Sequence, residues 1–395
     1  RREIDYHLFA TELWPRLVLG MDKNEVRGLS PSTVFQEIHS YIKGSAQSLD
    51  TDSGRLSRTE YLRLPWKMAP NFKGLGTAES LEDLPGDRRG NRDLVYDIFG
   101  EYERVKNSMG MYDISDVVFH IWRELQNEGG YSGTPIHSIS VDETQDFTQA
   151  ELRLFIRICS DKNDMFFSGD TCQTIASGVG FRFEDLKTIF KLEKDFQEKQ
   201  ARRGKAEYAV QHVSIPVVDK LLVNYRTHNG ILKAAAAFVD LLHAFFPGTI
   251  DILPRESGFF EGPKPLLLAE TKVDDVAVMI VGSDKKASQI EFGAHQVILV
   301  RSQEAKKKLP ADFDGCLAMT VLESKGLEFD DVFLWNFLSD SRASQEWRLV
   351  LSYLVQGNEE EERSLEETRD KLRCSDKLMM GMLRTLPFSE HTHQV

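Results

Sequence analysis

Residues 141–149 read VDETQDFTQ and follow directly on the apolar-alternating run IHSIS at 136–140. Acidic and amide groups therefore crowd the end of a segment that reads as a buried strand. One carboxylate in such a place is costly, and two side by side more so, unless a positive partner stands in front of them. The next stretch, FTQAELRLFIRICS, has helical periodicity, and Thr148 with Glu151 three residues on is a capping-box start. Met165 to Ser168 then gives a second short strand that ends in Gly169 and Asp170. Strand, helix, strand at this spacing predicts a right-handed crossover in a parallel sheet. Both strands then end on the edge where α/β proteins bind ligands.

Composition sets the frame around this unit. With 395 residues, 41% of them hydrophobic, the chain can bury a large core and should form two or more domains. Acidic residues outnumber basic ones, 62 to 49, so any contact with a polyanion has to come from local patches. Cys159, Cys172, Cys316 and Cys374 lie far apart without a C-x-x-C pair, which argues against a disulfide framework or zinc site and fits a reducing intracellular compartment. No apolar run approaches the ~20 residues needed to cross a bilayer, and RREIDYHLF at the start is too charged for a signal peptide.

Before residue 130 the chain reads as mostly helix. SPSTVFQEIHSYIKG puts Val34, Ile38 and Ile42 on one face after a capping signal, with Gly44 as a stop. RDLVYDIFGEYERVK repeats the pattern with Leu94, Ile98 and Tyr102, and ISDVVFHIWRELQ with Val117, Ile121 and Leu125. Residues 64–92, with three prolines and DLPGDRRGNR, read as an exposed loop. Beyond 186–205, a basic-leaning helical run, strands and helices alternate again. Leu221 to Val223 leads into NYRTHNG and the helix ILKAAAAFVDLLHAFF, and HQVILVRS is the continuous apolar strand of a sheet covered on both faces. Cys316 to Val321 and Val332 to Phe337 are further strands, and residues 341–395, with EEEE at 359–362, form an acidic, partly helical tail.

Four groups of residues fall at strand ends. Asp142 and Glu143 have the form expected where a magnesium-nucleotide sits, one carboxylate orienting the metal and the next taking a proton from an attacking water. FFSGDTCQTI brings Asp170 and Gln173 to the adjacent strand end, where an amide can sense a terminal phosphate. NYR offers a flat ring and a forked cation, Tyr225 and Arg226. TVLESKGLEFDDV adds Thr320, Ser324, Lys325, Gly326 and Glu328.

In order and spacing these segments resemble the UvrD/Rep-type superfamily 1 helicases, whose motifs read DExQD, GDxxQxI, NYR and SKGLEF. DETQDFTQAEL, GDTCQTI, GFRFEDL and ESKGLEFDDV look most like the UvrD-like helicase region of tetratricopeptide- and ankyrin-repeat proteins. The resemblance implies two RecA-like P-loop NTPase domains, α/β in class, with nucleotide between them. Residues 1–130 would be a helical insertion of the first domain, 131–215 its C-terminal part and 216–340 the second. It implies ATP and Mg²⁺ as cofactors, single-stranded nucleic acid, DNA or RNA, as partner, and repeat-domain neighbours in a longer protein. By position, Asp142 would serve the metal, Glu143 would be the general base, Gln173 would report the terminal phosphate and Arg226 would neutralise charge on the transferring phosphoryl group. Tyr225 would stack on adenine, Glu328 would contact the ribose, and Gln145 and Asp170 would complete the nucleotide side. Thr320, Ser324, Lys325 and Gly326 would face the nucleic-acid strand, and Phe181 and Phe183 of GFRF would either stack on bases or pack in the core.

The pattern also breaks. No stretch matches G-x-x-x-x-G-K-S/T, which in this family lies upstream of DExQD and is expected before Arg1 in a longer protein. A final arginine motif after SKGLEF is not recognisable, and Glu323 stands where most such helicases carry histidine. The expectation is a helicase or translocase core that does not turn over ATP by itself. The rival is a degenerate helicase-like scaffold that binds protein or RNA without hydrolysis.

Overall fold

In the computed structural model, Ser30 opens a helix by accepting the Thr33 N–H at 3.1 Å, with Pro31 in the first turn where its missing N–H costs nothing. The structure describes residues 2–26, 29–64, 91–174, 179–202, 213–246, 250–268, 295–341, 347–348 and 350. The loop expected at 64–92 and the tail at 341–395 lie almost entirely outside them. The chain divides into two compact units, one running to Lys220 and including residues 250–252, the other holding 221–246 and the residues from Leu253 on.

The first unit begins with helices. α1 (Pro31–Gln36) runs on into a π-helical stretch, Glu37–Ile42, and buries Val34, Ile38 and Ile42 as their spacing predicts. α2 (Asn91–Ser108) buries Leu94, Ile98 and Tyr102 against the same core. α3 (Ile114–Asn127) starts at a reciprocal capping box between Asp113 and Asp116. Its buried face is Val118, Trp122 and Leu125, not the predicted Val117, Ile121 and Leu125; Ile121 is 41% exposed. The two stripes differ by one residue, and the largest side chain decides between them. Trp122 is fully buried, with the Arg153 guanidinium 4.7 Å from its ring centroid.

β1 (Ile139–Val141) and β2 (Met165–Phe167) pair in parallel, with Ile139 opposite Met165 and Val141 opposite Phe167. β1 is shorter than predicted, because Ile136 makes only an isolated bridge to Cys159. α4 (Gln149–Ile158) crosses between them and starts at the predicted Thr148–Glu151 capping box. α5 (Phe183–Arg202) covers the pair with Leu186, Ile189 and Phe190.

In the second unit, β3 (Val223–Asn224) pairs in parallel with β4 (Ser257–Gly258), and α6 (Asn229–Phe245) lies between them in sequence. A separate parallel sheet has β5 (Gln296–Val300) in the middle, flanked by β6 (Ala318–Thr320) and β7 (Asp331–Leu334). Val297 to Val300 are all buried, as a strand covered on both faces requires. The short helix α7 (Gln303–Lys307) follows β5, capped by Ser302.

Candidate functional site

The C-terminal ends of β1 and β2 bring together Asp142, Glu143, Gln145, Asp170 and Gln173. Ser168, just past β2, donates to Asp142 Oδ1 at 2.6 Å and fixes that carboxylate at the exposed edge. The Thr144 N–H and hydroxyl both bond to the Ser168 carbonyl, at 2.9 and 2.7 Å, and clamp the two strand ends together. Between them Glu143 adopts a left-handed backbone, φ 52° and ψ 43°. A side chain with a Cβ is disfavoured there by about 1–2 kcal/mol. The strand thus turns so sharply that Glu143 and Gln145 reach each other, and Gln145 Nε2 donates to Glu143 Oε2.

Gln145 was expected to meet the nucleotide, but its side chain is fully buried. It acts as a bridge instead: its Oε1 accepts the Asp170 N–H at 3.1 Å. Asp170 in turn accepts from the Cys172 N–H at 2.9 Å and from Gln173 Nε2 at 3.2 Å. A continuous hydrogen-bonded path therefore runs from Glu143 through Gln145 and Asp170 to Gln173. Neither Ser168 nor Gly169 was singled out from sequence. The SG step between the apolar strand and Asp170 was the available signal.

The segment after Asp170 is held from a distant stretch of the chain. The Asp251 N–H donates to Thr171 Oγ1 at 3.0 Å, and Asp251 Oδ2 accepts the Phe183 N–H at 3.1 Å. Nearby, burial pushes Asp185 up to about 6 against the opposing pull of Arg182. Phe181 is 4% exposed and meets Phe183 edge-on at 5.5 Å inside the core. Phe181 thus packs in the core, and Phe183 is partly buried against the same cluster.

In the second unit, Asn224 at the end of β3 accepts the Arg226 and Thr227 N–H groups at 2.9 and 2.8 Å, an Asx turn that fixes the NYR backbone. Tyr225 is 72% exposed. Arg226 makes an ion pair with Glu328, which brings the NYR and SKGLEF segments together. Gly326 takes a left-handed φ of 76° that lets the SKG turn close.

Thr320 and Ser324, expected to face nucleic acid, have buried side chains. The Ser324 hydroxyl donates to the Val321 carbonyl at 3.1 Å, and Thr320 is held by Glu323. Its carboxylate accepts the Thr320 N–H at 2.8 Å and hydroxyl at 3.2 Å, Gln303 Nε2 at 2.8 Å and Lys306 Nζ at 3.2 Å. The Thr320 amide, then Gln303 and Lys306, hold its pKa at about 2. Lys325 is half-buried and Gly326 exposed, so these two keep surface that Thr320 and Ser324 do not.

One further carboxylate group, Glu103, Asp113 and Asp116, brings its oxygens within 4.8 Å of one another. Lys43 and Lys106 already fill the space between them, at 2.6 and 3.0 Å from Asp113. This is an ion network that ties α1, α2 and α3 together, not a cation site.

Residues 33–197 match the family model of the UvrD/REP helicase N-terminal domain. Through this segment the chain is similar to the UvrD/REP helicase N-terminal domain, a likeness that implies a RecA-like P-loop fold, and the structure is mixed helix with small parallel sheets. The chain is also similar to TPR and ankyrin repeat-containing protein 1 of Homo sapiens, 38% identical over 367 residues. The alignment covers 92% of this chain, which spans about 12% of the length of that curated relative. Among the described residues, no helix is long and apolar enough to cross a membrane.

Proposed function

We propose that this chain is the nucleotide-handling core of an ATP-dependent nucleic-acid helicase or translocase of the UvrD type. It would consist of two RecA-like domains, 131–215 and 216–340, with residues 1–130 as a helical insertion of the first. The observation that carries the reading is the path Glu143–Gln145–Asp170–Gln173 at two parallel strand ends, which ties a candidate base to a candidate phosphate sensor.

The donor set fits a magnesium-nucleotide. Asp142 offers exposed carboxylate oxygens, one of them oriented by Ser168, and hard oxygen donors suit this cation. Bound magnesium would supply charge screening for the phosphates. Glu143, steered by Gln145, accepts the proton of the attacking water. Gln173 senses the terminal phosphate and shifts Asp170, to which it is bonded. Arg226 exchanges Glu328 for phosphate oxygens as negative charge moves on to the leaving group. Tyr225 receives the base, and Lys325 with Gly326 supports single-stranded nucleic acid, DNA or RNA.

No phosphate loop of the form G-x-x-x-x-G-K-S/T occurs among these 395 residues, so this chain by itself is expected not to turn over ATP. Nucleic-acid-stimulated hydrolysis by the purified chain, abolished in Glu143→Gln, would overturn that expectation. In a longer protein that carries such a loop, Glu143→Gln should lower turnover by about 10²-fold or more while ATP still binds. Unchanged turnover there would remove Glu143 as the base.

A second reading, a helicase-like scaffold for protein or RNA without hydrolysis, is favoured by burial. Thr320, Ser324 and Phe181 are 6%, 7% and 4% exposed, so part of the surface the helicase reading assigns to nucleic acid is closed.

A further inference from the structure

Phe259 lies outside every motif read from the sequence, yet it is built against Tyr225. The parallel pairing of β3 and β4 sets Val223 opposite Ser257 and Asn224 opposite Gly258. One step further along, Tyr225 and Phe259 are therefore neighbours, and the Phe259 N–H donates to the Asn224 carbonyl at 2.8 Å. Their ring centroids are 5.2 Å apart with planes 30° from parallel. Both residues remain largely exposed, 72% and 71%.

The backbone around this pair is locked on both sides. Asn229 accepts the Gly258 N–H at 2.7 Å and donates from its amide to Glu261 at 2.7 Å, while its own N–H bonds to the Phe260 carbonyl at 3.1 Å. Gly258 leaves no room for a side chain, since a Cβ there would lie 2.9 Å from the Asn229 nitrogen and 3.0 Å from the Thr227 oxygen. The Asx turn at Asn224 fixes the other flank. Two large rings fixed in the open, next to a forked cation, form a preorganised stacking surface rather than core.

We propose that Phe259 is a positioning residue that holds the Tyr225 ring as a stacking platform for the purine base of a nucleoside triphosphate whose phosphates meet Arg226. This rests on the reading of Tyr225 given under Proposed function. Stacking on one face fixes the ring's tilt, so a base arriving on the other meets a surface that need not be ordered first.

The test is equilibrium titration of the 395-residue chain with ATP and, separately, with inorganic tripolyphosphate, which has no base. Tyr225→Ala and Phe259→Ala should each weaken ATP binding about five- to tenfold and leave tripolyphosphate binding unchanged. Phe259→Tyr should restore ATP binding. If Tyr225→Ala loses ATP affinity while Phe259→Ala binds as the unaltered chain does, Phe259 has no such role. If Phe259→Ala weakens both ligands alike, or Phe259→Tyr fails to rescue, the residue is merely structural and the inference falls. If Tyr225→Ala leaves ATP binding unchanged, or the unaltered chain does not prefer ATP to tripolyphosphate, the failure lies in the reading of Tyr225 itself.

Discussion

Gly169 passes so close beneath Gln145 that a Cβ at position 169 would sit 2.2 Å from Gln145 Oε1, the atom that accepts the Asp170 N–H. Gly169 is needed for space, because the bridge and the strand end compete for the same volume. Gly169→Ala should push Gln145 off Asp170 and leave a buried amide without its partner. The expected cost is about 1–3 kcal/mol, read as a lower denaturant midpoint at unchanged slope. A variant as stable as the unaltered protein would mean that Gln145 can move aside freely and that the path from Glu143 to Gln173 is not rigid.

The network around Asp113 makes stability depend on pH with a definite sign. Burial alone would push Asp113 up, but Lys43 and Lys106 outweigh it and hold its carboxyl well below the usual carboxylate range. A depressed carboxylate stabilises the fold above its unfolded value of about 3.9, and that contribution is lost as pH falls from there toward the folded value. Asp185, raised to about 6 by burial, acts in the opposite sense: its contribution is complete below about 3.9 and is lost as pH rises through 6. Asp113→Asn should therefore flatten the acid limb of a stability-against-pH curve and cost about 1–3 kcal/mol at neutral pH, since Lys43 and Lys106 lose their most buried partner but keep Glu103 and Asp116. Asp185→Asn should flatten only the region between about 4 and 6. Curves that keep their shape in both variants would refute the assignment.

What was legible in the sequence was whatever is set by neighbours along the chain. The Thr148–Glu151 box, the β1–α4–β2 crossover and the apolar strand at 296–300 depend on residues a few positions apart, and all three are present. What failed depends on distant packing. Val117–Ile121–Leu125 and Val118–Trp122–Leu125 both fit a helical period, and only the fit of Trp122 against Arg153, from α4, selects the second. Gln145 reads as a site residue, but Gly169 on the neighbouring strand end leaves the space in which its side chain is buried. Thr320 reads as a surface hydroxyl until Glu323 accepts its hydrogen bond.

Arg226 offers a kinetic prediction. In the structure its guanidinium is engaged by Glu328, so it starts from a paired state and must exchange one anion for another. Ground-state nucleotide then gains little from it, while charge developing on a transferring phosphoryl group gains more. In a longer, active protein Arg226→Ala should lower kcat by about 10²-fold or more with little change in nucleotide Kd. Equal losses in both would show uniform binding and count against a transition-state role.

Glu323 decides whether the loop from Thr320 to Glu328 can touch a nucleic-acid strand at all. It gathers Thr320, Gln303 and Lys306 on one ionised carboxylate, which pins the loop to α7 and places a negative charge in the same loop as Lys325. A phosphate approaching that loop meets Lys306 already neutralised and a carboxylate in its way. Glu323→Gln preserves the shape and can still accept the Thr320 hydrogen bonds, but it removes the charge and frees Lys306. If the loop lies on the nucleic-acid path, this variant should bind a labelled single-stranded oligonucleotide several-fold more tightly, about three- to tenfold at low salt, with the gain shrinking as salt is raised. Lys325→Ala should do the reverse. Fluorescence anisotropy at two salt concentrations separates the cases: affinities that ignore both substitutions would take this loop off the nucleic-acid path and favour the scaffold reading.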